Sequence, residues 1–70
     1  MTLNKAEPGR EYTIRKVSTG DEETDAFLFT LGCYSGEKVT VISQLRGGSV
    51  VSIKDGRYNI DSQLAQSIFI

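Results

Sequence analysis

The chain has 70 residues, a formal net charge of −1 at pH 7, 39% hydrophobic residues and 24% charged residues. That length supports one small domain, read here as residues 1–70, and excludes a TIM barrel, a complete dinucleotide-binding fold or any two-domain enzyme. With no histidine and one cysteine, Cys33, it also excludes imidazole-based triads, an intrachain disulfide and a multi-cysteine zinc site.

Gly, Pro and Asp residues cut the sequence into short elements. Pro8-Gly9 reads as a turn. Glu11 to Val17 follows as a strand, with Tyr12 and Ile14 on one face at period two. The alternation fails at Lys16-Val17, where a bulge or a strand end is expected. Asp21 is an N-cap candidate, and Glu22, Glu23 and Asp25 behind it suit the positive end of a helix dipole. Phe27, Leu28 and Leu31 then form an apolar stripe at helical spacing, and Gly32 stands where a left-handed residue would stop the helix. The helix is therefore predicted over Glu22–Leu31.

Cys33 to Gly36 reads as a turn, and Glu37–Ser43 as a strand with Val39 and Val41 on one face and Ile42 as the apolar exception on the other. Arg46-Gly47-Gly48 is a turn, and Ser49–Lys54 a strand with Val51 and Ile53 inward. Asp55-Gly56 predicts a two-residue type I′ hairpin turn, with Arg57–Ile60 returning beside the strand before it. Asp61 caps a short helical turn, Ser62–Gln66, that brings Leu64 and Ala65 inward, and Ser67–Ile70 closes the chain as a strand.

About five short strands in so short a chain cannot leave both faces of a flat sheet in water. Curling into a small barrel buries one face against itself. The predicted fold is mainly β: a partly open SH3-like barrel, with one helix after the first strand and a helical turn before the last. An open strand edge leaves weak pairing of two copies as one outcome.

The Lys and Arg residues are scattered, which argues against a nucleic-acid interface. No stretch approaches the roughly 20 apolar residues that span a bilayer, and the first ten residues lack a signal-peptide core, so a cytoplasmic location is expected. The acidic cluster Asp21, Glu22, Glu23 and Asp25 reads as a solvated helix start rather than a cation cage, because consecutive helical residues diverge. Cys33 reads as a small packed hydrophobe, with the negative end of the helix dipole raising its thiol pKa. No cofactor is implied, and a core of this size without histidine leaves no room for an acid–base pocket, so no enzyme is expected. The aromatic residues are the functional lead. Phe29 points about 100° away from Leu28 on the helix. It either packs on a neighbouring strand or stands exposed beside Tyr34 as a docking surface.

The segment Leu28-Phe29-Thr30-Leu31-Gly32-Cys33-Tyr34-Ser35-Gly36 resembles the L-x-x-L-G-x-x-x-G element of the FeoA family, and Ala65 to Ile70 its A-x-x-I-x-V ending with isoleucine for valine. The resemblance runs from about Pro8 to Ile70. It implies an SH3-like accessory domain of bacterial ferrous iron uptake that docks on the cytoplasmic part of the membrane GTPase transporter FeoB, with regulation of that transporter as a further role. Similar domains end iron- and manganese-dependent repressors. Phe27, Ser35 and the pair Asp61-Ser62 stand where the family often has a basic residue, a proline and a basic residue, so a basic contact surface does not carry over.

On this reading Phe29 and Tyr34 make direct partner contact, while Leu28, Leu31, Gly32 and Gly36 shape the helix end and turn that present them. The alternative is an SH3-like module linked to nucleic acid or to metal-dependent regulation.

Overall fold

The computed structural model describes residues 1–70. A 3-10 turn, Leu3–Lys5, precedes strands β1 (Glu11–Thr13) and β2 (Lys16–Val17) and helix α1 (Glu22–Thr30). Strands β3 (Lys38–Leu45), β4 (Gly48–Ile53) and β5 (Gly56–Asp61) follow, then helix α2 (Ser62–Ala65) and strand β6 (Ile68–Phe69). One antiparallel sheet has the order β1-β3-β4-β5, and β2 pairs with β6 in a second.

The six strands arise from the predicted five because the first one divides. Ile14 donates its N–H to Glu37 O (2.8 Å) and accepts from Gly36 N–H (2.8 Å), while Arg15 donates to Phe69 O (2.7 Å). The backbone thus changes partner between Ile14 and Arg15, and β2 joins the chain terminus instead of continuing beside β3. The change of sheet keeps Ile14 in the core at 1% exposure.

The local helix signals act as expected. Asp21 Oδ1 accepts from Glu23 N–H at 3.4 Å, and Asp61 Oδ1 accepts from Leu64 N–H at 2.7 Å. At the end of α1, Gly32 N–H donates to Phe29 O and Cys33 N–H to Leu28 O, both at 3.0 Å, with Gly32 at φ +92°. This is the Schellman pairing, and it ends the helix at Thr30 with Leu31 as the cap.

Two turns differ from the prediction for a reason that lies in the sheet. The β3–β4 turn holds only Arg46 and Gly47, with Leu45 opposite Gly48. A two-residue hairpin is flanked by a pair that exchanges both hydrogen bonds. Gly48, Val50 and Ser52 therefore bond toward β3, and Ser49, Val51 and Ile53 toward β5. The next turn must close on Ile53, so Lys54 and Asp55 occupy it and Gly56 pairs with Ile53 as the first residue of β5. Only Lys54 has positive φ there (+53°), so the type I′ turn at Asp55-Gly56 is not formed. Gly56 serves another purpose, since the Tyr58 ring lies where its Cβ would be. In β3 the register shifts between Val41 and Ser43, which leaves Ile42 as the bulge residue.

The core is one cluster of 13 buried apolar residues drawn from both sheets, both helices and the amino-terminal turn. Leu3 and Ala6, which sequence patterning did not assign to the core, are 0% and 4% exposed. A polar clasp holds them. Gln44 Nε2 donates to Leu3 O and Ala6 O, both at 3.0 Å, and Ser49 Oγ donates to Gln44 Oε1 at 2.6 Å. The buried hydroxyl of Ser49 is thereby satisfied.

Candidate docking site

The end of α1 and the β4–β5 turn meet across Gly32. A Cβ at that position would lie 3.1 Å from Lys54 Cδ and 3.2 Å from Ile53 Cγ2. Glycine therefore permits both the left-handed backbone and the close approach of the hairpin. The helix end above this contact carries Phe29, which is 62% exposed, so of the two sequence readings the exposed one describes the structure. Its ring lies against that of Tyr34, with centroids 4.7 Å apart and planes at 33°. Such a tilted pair is a favoured aromatic geometry and holds both rings in place.

Tyr34 is held in turn from the other side. Lys54 Nζ lies 5.5 Å from the Tyr34 ring centroid and 3.3 Å from Glu37 Oε1. The Tyr34 hydroxyl first, and then Glu37, stabilise the ammonium and raise its pKa above the ordinary lysine value. The two rings form a ridge between two open grooves. One, of about 690 Å³, is lined by Phe29, Leu31, Gly32, Tyr34, Lys54 and Tyr58 among others. The other, of about 330 Å³, runs past Arg15, Lys16, Asp25 and Cys33.

The six residues singled out from sequence fall into two groups. Phe29, Tyr34, Leu31 and Gly32 line the larger groove together. Leu28 lies beneath it in the core at 1% exposure. Gly36, at φ +94°, turns the chain from Tyr34 into β3 and does not line the groove. Sequence reasoning missed Lys54 and Tyr58. Lys54 stands among scattered charges and Tyr58 in a plain strand, and only the hairpin register brings them to the end of α1.

The remaining chemistry-bearing residues serve the chain itself. Asp21 Oδ2 accepts from Thr24 Oγ1 at 2.6 Å, and that hydroxyl, ahead of the backbone donors, holds the Asp21 pKa below its usual value. Asp25 Oδ1 accepts from Thr19 N–H (2.9 Å) and Thr19 Oγ1 (2.7 Å). No three His, Cys, Asp or Glu side chains converge as a metal-binding group.

Cys33 is 2% exposed, and burial pushes its thiol up to about 11. The direction matches the sequence reading, but desolvation rather than the helix dipole is the cause. A raised pKa means that the folded state holds the proton more tightly than the unfolded chain. This contribution is complete below the ordinary thiol value of 9.0 and falls as pH rises toward about 11. The melting temperature of the native chain should therefore drop more steeply over this range than that of Cys33→Ala. Parallel curves would show that the thiol does not titrate with unfolding.

The chain superposes on the crystal structure of an iron uptake regulatory protein (FeoA) with a TM-score of 0.86, at 20% identity, over 97% of this chain and 91% of that one. It superposes on a manganese-dependent transcriptional repressor with a TM-score of 0.82, also at 20% identity, over 97% of this chain but only 39% of the repressor. These likenesses establish the SH3-like fold, mainly β with two antiparallel sheets. No curated protein matches the sequence. The family model of the FeoA domain matches residues 1–70, so the chain belongs to the FeoA family, which supports a role in ferrous iron transport.

Proposed function

We propose that the chain is a non-enzymatic accessory module that docks on the cytoplasmic part of a FeoB-type ferrous iron transporter through the Phe29–Tyr34 ridge. FeoA domains are small and non-catalytic. No helix of this chain is long and apolar enough to cross a membrane. On this reading the protein works in the cytoplasm, and the transporter supplies the membrane-spanning part.

The observation that carries the reading is Phe29, a phenyl ring 62% exposed that lies against the ring of Tyr34. Covering such a ring is worth about 1.5–3 kcal/mol. The contact with Tyr34 restricts the ring, which reduces the conformational entropy lost when a partner covers it.

The test is an NMR titration of the isotope-labelled protein with the soluble cytoplasmic domains of the matching transporter. Shifts should concentrate at Phe29–Tyr34 and Lys54–Tyr58. Phe29→Ala should weaken binding by roughly 30-fold, the loss of a central aromatic anchor. A flat titration in every nucleotide state, up to millimolar partner, would exclude docking on those domains.

A further inference from the structure

We propose that the free edge of β5 pairs antiparallel with β5 of a second copy about a two-fold axis at Asn59. β5 is the outer strand of the four-stranded sheet and spans Gly56–Asp61 without a bulge or proline. The other outer strand of that sheet, β1, has three residues. The hairpin register determines which β5 groups are free. Gly56, Tyr58 and Ile60 bond to β4, so the N–H and C=O groups of Arg57 and Asn59 and the N–H of Asp61 point away from the sheet, while the Asp61 C=O faces α2 as its N-cap. An exposed row of this kind is a template for strand addition.

The side chains complement themselves in one register. With Asn59 opposite Asn59 of the second copy, Arg57 faces Asp61 of the second copy, and Asp61 faces its Arg57. All three of these side chains are exposed on one face. Arg57 takes no part in the chain's salt bridge, which joins Lys54 and Glu37. Asp61 uses Oδ1 for its helix cap, and Oδ2 has no partner. On the opposite face Tyr58 comes opposite Ile60 of the second copy, an aromatic and β-branched cross-strand pair. A register centred on Arg57 or on Asp61 would instead place like charges opposite each other, which is destabilising. Charge therefore selects the Asn59-centred arrangement, which is isologous and closes at two copies. The free main-chain groups of Asn59 then face each other as a pair that exchanges both hydrogen bonds.

One strand edge buries less than the roughly 1,200 Å² of a stable interface, so the association is weak and concentration-dependent. Its polar contacts come from Arg57, Asn59 and Asp61, none of which lines the Phe29–Tyr34 groove, and it shares only the edge residues Gly56 and Tyr58 with that site.

The experiment combines sedimentation with amide hydrogen exchange of the full chain from micromolar to millimolar concentration. The mass should rise from 7.7 kDa toward twice that value. Protection should grow with concentration at the amides of Arg57, Asn59 and Asp61, while those of Tyr58 and Ile60 stay protected throughout. Arg57→Glu opposes like charges twice and should weaken pairing on the order of tenfold. Asn59→Pro removes an outward N–H that the β4 ladder does not use, and should abolish pairing while leaving the fold intact. A chain that stays monomeric at millimolar concentration would overturn the proposal. So would a dimer that gains no protection at these three amides or that persists unweakened in Arg57→Glu.

Discussion

Leu28→Ala is expected to lower the unfolding free energy by about 2–5 kcal/mol, whereas Phe29→Ala, one residue further on, should change it by no more than about 1 kcal/mol. Leu28 is 1% exposed and packs in the cluster that joins both sheets to the helix. Its truncation removes buried methyl groups and leaves a cavity in the one core cluster of the domain. Phe29 is 62% exposed and loses only its contact with Tyr34. A domain of this size holds about 3–5 kcal/mol in all, so the first variant should lose a large share of its stability. The second should fold normally and fail only in docking. Urea denaturation followed by circular dichroism separates them. Equal losses of stability in the two variants would mean that Phe29 is part of the core and not a contact residue.

Gly48→Ala should cost on the order of 1–3 kcal/mol through overpacking. A Cβ at Gly48 would lie 2.5 Å from Ile60 O and 3.3 Å from Asp61 Cα. Both atoms are backbone, so no flexible side chain can move aside. β5 itself would have to shift where Asp61 begins to cap α2. Replacing glycine elsewhere often stabilises a protein by about 0.4–1 kcal/mol through the unfolded chain, and here the contact should outweigh that gain. The denaturation midpoint should fall, with NMR shift changes concentrated between Gly48 and Leu64. A rise in the midpoint would show that the two strands can separate at that point without loss.

Sequence patterning reached most of the fold because its strongest signals are local. Asp21 and Asp61 cap their helices through hydrogen bonds to residues two or three positions on. Gly32 stops α1 through bonds within its own turn. Val39, Val41, Val51 and Ile53 alternate because each strand presents one face to the core. The candidate site was partly legible for the same reason, since Phe29 and Tyr34 flank the helix stop and their proximity needs little more than that stop.

The amino-acid sequence alone thus determined the helix boundaries within a residue, the mainly β class, the apolar face of each central strand and the FeoA resemblance. The tertiary structure alone decided the division of the first strand, the closing of the last hairpin on Lys54-Asp55, the burial of Leu3 and the arrival of Lys54 and Tyr58 at the Phe29–Tyr34 ridge. Each of these depends on which distant backbone group completes a hydrogen bond or which distant side chain fills a space. Local sequence periodicity records how apolar a residue is, but not which neighbour the folded chain brings against it.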